Sequence, residues 1–128
     1  MIDHIDHIVL TTRDKAACIR FYTEALGMKL TTFRTPTEER FAFRFGNQKI
    51  NVHEWGKEFT PRAHVAAPGT LDLCFIAAVP LEAVVKRLEE NGIGIIEGPV
   101  AKTGATGPIR SVYVRDPDLN LVEISVPA

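Results

Sequence analysis

DHIVLTTRDKAACIRFYTEALGMKL, residues 6–30, contains a complete strand and helix and the start of another strand. The run at 5–11 is apolar and β-branched over the length of one strand, which predicts a strand. From Asp14 to Leu26 the apolar residues recur every three or four positions, which is the period of an amphipathic helix. Gly27 stands where a left-handed residue commonly ends a helix. The apolar residues after it predict a second strand, so the stretch predicts a β-α-β unit.

The same order of elements occurs twice in the chain. Gly27 and Gly92, like Leu30 and Ile95, are separated by 65 positions, and each glycine follows a predicted helix. Further strands are predicted at 28–33, 41–45, 49–54, 71–77, 93–97, 111–115 and 121–126, a second helix from Pro80, and loops at 56–69 and 98–108. An internal repeat of this size indicates two copies of one βαβββ module.

The repeat predicts one domain over 1–128, built from tandem modules at approximately 4–55 and 70–126 with a linker at 56–69. Each module has one helix, which leaves one face of its sheet uncovered, so we expect the two modules to pair. The predicted fold class is α+β, with a curved mixed sheet around a central cleft and the helices outside. Concave sites of this kind favour small ligands.

Composition excludes several classes of partner. The chain is 45% hydrophobic and 24% charged with a net charge of −1, as in ordinary folded domains. It lacks the basic cluster that nucleic-acid binding needs, and the run of about 20 apolar residues that a membrane helix needs. We expect a cytoplasmic protein, because the first residues do not resemble a signal peptide. Cys18 and Cys74 lie in apolar segments, which predicts buried free thiols.

Four polar residues lie in predicted strands, where a charge is costly to bury unless it is paired or metal-bound. They are His7, His53, Asp72 and Glu123. His7 and Asp72 occupy the same position in the two modules, and His53 shares a strand face with Asn51. Imidazole and carboxylate ligands suit Ni²⁺, Zn²⁺, Mn²⁺ or Fe²⁺. Each residue also fits an ordinary hydrogen-bonded or solvent-facing position.

Three further residues are candidate substrate contacts. Ser111 and Tyr113, together with Arg115, alternate onto one face of their predicted strand. For Tyr113 the alternative is a core aromatic side chain. Lys102 begins the segment KTGATG, whose backbone N–H groups are expected to form an anion-binding nest. A flexible lid is the alternative for this segment.

The whole chain resembles the vicinal oxygen chelate superfamily, which includes glyoxalase I, fosfomycin-resistance proteins and extradiol dioxygenases. Three segments carry the resemblance: DHIVLTTRDKAACIRFYTEALGMKL at 6–30, LDLCFIA at 71–77 and RDPDLNLVEIS at 115–125. FGNQKINVHE and EGPVAKTGATGP are similar to segments of small glyoxalase-domain proteins. The match is specific for the fold and less specific for the substrate.

The resemblance implies a ligand set for a divalent metal. His7 matches the ligand on the first strand, and Glu123 matches the glutamate ligand on the last strand. Asp72 stands where the family usually has a histidine. The fourth-strand ligand is Asn51 or His53, and the expected set of four ligands includes His53.

The resemblance also implies a function and an assembly. The metal (Ni, Zn, Mn or Fe) would bind neighbouring oxygens of a small-molecule substrate and stabilise an enolate or oxyanion, as in a lyase or isomerase. Glu123 and Tyr113 would be the catalytic residues, and the family resemblance implies a homodimer. The alternatives are an Fe-dependent extradiol dioxygenase and a metal-free binding protein of the bleomycin-sequestering type. Leu119 replaces the glycine of the family's closing turn, where Asn120 is expected to supply the permissive backbone.

Overall fold

The structure is a computed structural model that describes all 128 residues. They form two compact units, Met1–Thr70 and Leu71–Ala128. Unit 1 contains β1 (His7–Thr12), α1 (Lys15–Arg20), a π-helical segment (Phe21–Ala25), β2 (Lys29–Arg34), β3 (Glu39–Phe45) and β4 (Gln48–Glu54). Unit 2 contains β5 (Asp72–Ile76), α2 (Leu81–Glu90), β6 (Glu97–Gly104), β7 (Gly107–Arg115) and β8 (Leu121–Pro127).

Both units have the same sheet topology. The strand orders are β1-β4-β3-β2 in unit 1 and β5-β8-β7-β6 in unit 2. In each sheet the first strand pairs in parallel with the last strand, and the other pairs are antiparallel. The predicted α+β class and the predicted duplication are therefore confirmed. Neither helix has the length and apolar character that a membrane span requires.

The first helical segment covers one face of the sheet in unit 1. The Asp14 carboxylate accepts a hydrogen bond from the backbone N–H of Ala17 at 3.0 Å, which caps the helix start. Gly27 takes a φ of 74° just after the π-helical segment. The fully buried ring of Tyr22 stacks on Phe43 of β3, with the ring centroids 5.0 Å apart. Because strand side chains alternate, the neighbours of Phe43 in β3 point to the opposite face of the sheet.

In unit 2 the helix packs in the same way. The helix α2 contacts β7 and β8 through the buried residues Leu81, Val84 and Leu88. The strand side chains that face it are apolar and at most 5% exposed: Val112, Val114, Val122 and Ile124. Because strand side chains alternate, the odd-numbered residues of β7 and β8 point to the opposite face. We call that surface the open face of unit 2.

The structure corrects the prediction for the segment before β7. The strand predicted at 93–97 and the loop predicted at 98–108 are wrong, because β6 begins at Glu97 and only two residues separate it from β7. Glycine and proline obscured the hairpin in the sequence. Gly98 lies at an irregularity of the β6–β7 pairing, with φ at 101°. A Cβ atom there would lie 2.3 Å from the Ser111 carbonyl oxygen, so only glycine fits.

The turn before β8 is built around a buried aspartate. The Asp116 carboxylate accepts hydrogen bonds from the backbone N–H groups of Asp118 and Asn120 at 2.9 Å, and from the Asn120 amide at 2.8 Å. The Asn120 side-chain oxygen accepts from the backbone N–H of Leu71 at 2.9 Å, which ties the turn to the start of β5. Leu119 itself has a φ of 70°. The expectation that Asn120 supplies the left-handed backbone is therefore wrong.

Candidate functional site

A row of ionisable side chains crosses the open face of unit 2. On β8, Glu123 is the register partner of Cys74 on β5 and of Tyr113 on β7. Tyr113 is in turn the partner of Glu97 on β6. Direct cross-strand partners project from the same face of a sheet. The fold therefore brings two carboxyl groups, a phenol and a thiol into one line, which we call the Glu123 row.

Three members of the Glu123 row, namely Glu97, Tyr113 and Glu123, line a concavity of about 400 Å³. Its lining residues are Asp72, Ile96, Glu97, Lys102, Tyr113, Arg115, Leu121 and Glu123. Four residues that the sequence analysis selected thus line one pocket within one unit: Asp72, Lys102, Tyr113 and Glu123. Arg115, on the same strand face as Ser111 and Tyr113, also lines the pocket.

A hydrogen bond from the buried Ser111 holds the Glu123 carboxylate. The Ser111 hydroxyl donates a hydrogen bond to Oε2 of Glu123 at 2.5 Å, and Ser111 is 0% exposed. The contact that this buried hydroxyl makes in the structure is with the carboxylate, and a contact of Ser111 with the substrate stays a prediction.

Ser125 is a member of this site that sequence reasoning missed. It is fully buried, and its hydroxyl lies 2.7 Å from the Ser111 hydroxyl and 3.3 Å from Oε2 of Glu123. The sulfur of Cys74 lies 3.4 Å from the same Ser125 oxygen. The spacing contained a signal, since Ser125 follows Glu123 by two positions and so shares its strand face.

The two cysteines differ from each other. Cys18 is buried as predicted, whereas the prediction of a buried thiol is wrong for Cys74, which is exposed. Partial burial of the Cys74 sulfur and the negative charge of Glu123 raise the pKa of this thiol. The thiolate is the nucleophilic form of cysteine. Cys74 is therefore a poor candidate for a nucleophile at neutral pH.

Tyr113 faces Glu123 across the paired strands. Burial is the main cause that raises the pKa of Tyr113. The interaction with the Glu123 carboxylate adds to this effect, so that the pKa reaches about 12. At neutral pH the phenol is protonated, and it faces the carboxylate of its cross-strand partner. Glu123 thus accepts a hydrogen bond from Ser111 and lies beside a neutral phenol.

Two cationic side chains border the Glu123 row. The Lys102 ammonium nitrogen lies 5.5 Å from the centroid of the Tyr113 ring, and an Arg115 guanidinium nitrogen donates to the Leu119 carbonyl at 3.3 Å. The anion nest predicted around Lys102 is wrong, because Lys102 lies within β6, paired with Ile109. Its role as a candidate substrate contact now depends on its ammonium group.

In unit 1 the predicted histidine ligands do not meet. The register of the parallel pair β1–β4 places His7 opposite Lys49 and His53 opposite Thr11. The two imidazoles are therefore four residues apart, about 13 Å along the strands. Side chains stand nearly perpendicular to a sheet, and a metal–nitrogen bond is only about 2 Å long. Within one chain the two imidazoles therefore lie too far apart to bind one ion.

Each histidine has its own surroundings. His7 is exposed, and its Nδ1 lies 2.8 Å from the Asp6 carboxylate. The His53 ring contacts Phe59 edge-on with centroids 4.9 Å apart, and the Arg40 guanidinium lies 3.6 Å from the same Phe59 centroid. Burial is the main cause that lowers the pKa of His53. Its Nδ1 is buried without a hydrogen-bond partner, as is Oδ1 of Asn51.

The four predicted metal ligands are divided between the two units. His7 and His53 belong to unit 1, and Asp72 and Glu123 belong to unit 2. Neither unit gathers three His, Cys, Asp or Glu side chains into a cluster that could hold a metal ion. Oε2 of Glu123 already accepts a hydrogen bond from Ser111. We therefore derive no chemical step through a metal ion.

Comparison with known proteins agrees with the fold. Residues 4–124 match the family model of the Glyoxalase/Bleomycin resistance protein/Dioxygenase superfamily. The chain belongs to this superfamily. The vicinal oxygen chelate resemblance is thereby confirmed for nearly the whole chain, and superfamily members often use divalent metals.

Individual glyoxalase-superfamily relatives are similar over most of the chain. The chain is 52% identical over 125 residues to Virulence protein STM3117 of Salmonella typhimurium, covering 98% of this chain and 85% of that protein. A crystal structure of the Salmonella protein matches with a TM-score of 0.94 and 51% identity, covering 100% of this chain and 99% of that one. Glyoxalase domain-containing protein RDO1 of Mycosarcoma maydis is 50% identical over 121 residues, 94% of this chain and 66% of that protein. These names give neither a reaction nor a metal.

Proposed function

We propose that the open face of unit 2 is the active site of a lyase or isomerase that removes a proton from a small oxygenated molecule. The observation that carries the proposal is the setting of Glu123. Its carboxylate lines the pocket, a buried serine fixes its orientation, and a neutral phenol lies beside it. A carboxylate held in this way acts as a general base on a C–H bond next to a carbonyl group.

The other pocket residues have complementary roles in this proposal. Removal of the proton leaves negative charge on a substrate oxygen, as an enolate or oxyanion. Lys102 and Arg115 supply positive charge at the border of the Glu123 row, which stabilises that oxygen. Once Glu123 is protonated, its charge no longer holds the Tyr113 hydroxyl, which is then available to donate to the substrate oxygen. Asp72 provides a further acceptor for substrate hydroxyl groups.

Exchange of the substrate's carbon-bound proton with solvent deuterium tests this function, and the test does not depend on which product the reaction forms. The protein is incubated in D₂O with the hemithioacetal of methylglyoxal and glutathione, with 2-hydroxy acids, and with hydroxyketones. Loss of the carbon-bound proton signal is followed by NMR, with EDTA or with added Ni²⁺, Zn²⁺, Mn²⁺ or Fe²⁺. We expect protein-dependent exchange on at least one probe.

Two variants show whether Glu123 is the base. Glu123→Gln should lower the exchange rate about 100-fold or more, since general-base catalysis contributes that much. Glu97→Gln is the matched control, because it removes another carboxylate of the same row that Ser111 does not hold. Equal loss in both variants, or full activity in Glu123→Gln, would overturn the assignment.

The same samples separate the rival functions. Oxygen uptake with catechols in the presence of Fe²⁺ would show an extradiol dioxygenase instead. Saturable binding of a probe with no exchange and no oxygen uptake would show a binding protein. Loss of exchange in EDTA and its return with one metal would show that the reaction depends on that metal.

We also propose that the protein works as a homodimer that binds a small-molecule substrate. Support comes from its superfamily, whose members bind small molecules and often dimerise. Light scattering coupled to size-exclusion chromatography measures the mass directly. A mass of 14.2 kDa, that of one chain, would contradict a dimer.

A further inference from the structure

The hydroxyls of Ser125 and Ser111 form a buried series that ends at the Glu123 carboxylate. Both serines are 0% exposed, so water does not compete for their hydrogen bonds. The successive distances are 2.7 Å from Ser125 to Ser111 and 2.5 Å from Ser111 to Oε2 of Glu123. Two hydroxyls without contact to solvent are costly to bury unless they are paired. The hydrogen bonds that end at Glu123 supply this pairing.

Counting protons fixes the direction of the series. Each hydroxyl carries one proton to donate, and Ser111 donates its proton to Glu123. In the 2.7 Å contact Ser111 is consequently the acceptor and Ser125 the donor. Ser125 then has a free lone pair for the Cys74 thiol, whose sulfur lies 3.4 Å away. Both serine hydroxyls therefore direct their protons toward the carboxylate end of the series.

We propose that Ser111 and Ser125 are positioning residues for Glu123, which fix the carboxylate in the pocket and direct an incoming proton to the oxygen that Ser111 does not hold. This inference rests on the proposed function of Glu123 as a base. A proton placed on Oε2 would face the Ser111 proton across 2.5 Å unless the whole series reversed. The proton from the substrate carbon therefore goes to the other oxygen and returns from it. Over one full turnover Glu123 takes up one proton and releases it again, so the protein is unchanged.

A spectroscopic test examines the series without any substrate. A hydroxyl proton in a hydrogen bond this short is strongly deshielded, and full burial slows its exchange with water. We expect one such signal in the proton NMR spectrum of the whole protein. It should disappear in Ser111→Ala and shift in Ser125→Ala, which removes the donor to Ser111. Absence of the signal in the unmodified protein would overturn the series, whether or not any activity is found.

A kinetic test then uses the probe on which exchange occurs. Ser111→Ala should lower kcat about 10- to 100-fold with little change in KM, because a misplaced base costs about that much. Ser125→Ala should have a smaller effect in the same direction. An increase in KM with kcat unchanged would show a binding role and overturn the proposal.

An isosteric pair of variants separates positioning from packing. Ser111→Thr and Ser111→Val add the same volume to a fully buried position, but only threonine retains the hydroxyl. We expect the threonine variant to keep both the deshielded proton and most of kcat, and the valine variant to lose both. Equal activity of the two would overturn the proposal. If the deshielded proton is present but Glu123→Gln keeps full exchange, the positioning stands and the function of Glu123 as a base fails.

Discussion

Tyr113 and Glu123 are direct cross-strand partners on β7 and β8, and the negative charge of Glu123 contributes to the raised pKa of the phenol. The pair places a phenol with a high pKa beside a carboxyl group that lines the pocket. Neither side chain belongs to the apolar layer under α2, since both are odd-numbered residues of their strands. The pairing links the fold directly to the proposed chemistry, because the register of two strands sets the distance between the groups.

Substitution of Glu123 by glutamine should lower the pKa of Tyr113. The parent value is about 12, and the substitution removes the negative charge that contributes to it. The pKa should move toward the ordinary value of 10.0 while burial keeps it somewhat higher. Phenolate absorbance against pH measures the change, and Tyr113→Phe identifies the transition, because the other tyrosine, Tyr22, is fully buried. An unchanged titration in Glu123→Gln would show that the two groups do not interact.

The sequence predicted strands and helices well where apolar periodicity was the dominant signal. Both helices and most strands lie within a few residues of their predicted positions. The hairpin of β6 and β7 was missed because Gly98, Pro99 and Gly107 suggest a loop in a sequence. In the structure Gly98 is required by a close approach to the Ser111 carbonyl. Such a contact comes from another strand, so the local sequence does not show it.

The candidate site was predicted only in part, for a similar reason. The sequence placed Tyr113 and Glu123 in two separate predicted strands. In the structure these strands pair, and the two residues are direct cross-strand partners. The distance between His7 and His53 depends on the register of a parallel pair, which periodicity does not determine. Ser111 was assigned to the correct face, but its burial and its hydrogen bond to Glu123 were not predicted, because both are tertiary properties.

Replacing Leu119 by glycine should stabilise the protein. Leu119 has a φ of 70° and a side chain that is 65% exposed, so it is strained and contributes little packing. A left-handed conformation costs a residue with a Cβ about 1–2 kcal/mol, and the extra freedom of glycine in the unfolded chain offsets about 0.5–1 kcal/mol. We expect the free energy of unfolding to rise by about 0.5–1 kcal/mol in urea denaturation.

The control for this substitution is Ala105→Gly in the exposed turn between β6 and β7. Ala105 has no positive φ, so the glycine relieves no strain there. That variant should be destabilised by about 0.5–1 kcal/mol, since only the unfolded-state entropy changes. Destabilisation of both variants to the same extent would contradict strain at Leu119.

His53 should make stability depend on pH. Burial lowers its pKa in the folded protein below 6.5, so the unfolded chain binds a proton that the folded chain does not. The contribution is fully present above about pH 6.5 and is lost as the pH falls toward the lower folded value. We expect His53→Gln to flatten the fall in the free energy of unfolding over this range. His4→Gln, which removes an exposed imidazole, is the control and should keep the parent slope.

Replacing His7 and His53 separately should reveal at most one metal ligand. The register of β1 and β4 sets the two imidazoles about 13 Å apart along the strands, which exceeds the reach of two ligands on one ion. If the protein binds a divalent metal, His7→Gln and His53→Gln should therefore not both abolish binding. Mass spectrometry measures the metal content of each variant after dialysis against Zn²⁺. Circular dichroism verifies that each variant is folded. Complete loss of one equivalent of metal in both folded variants would contradict the parallel register.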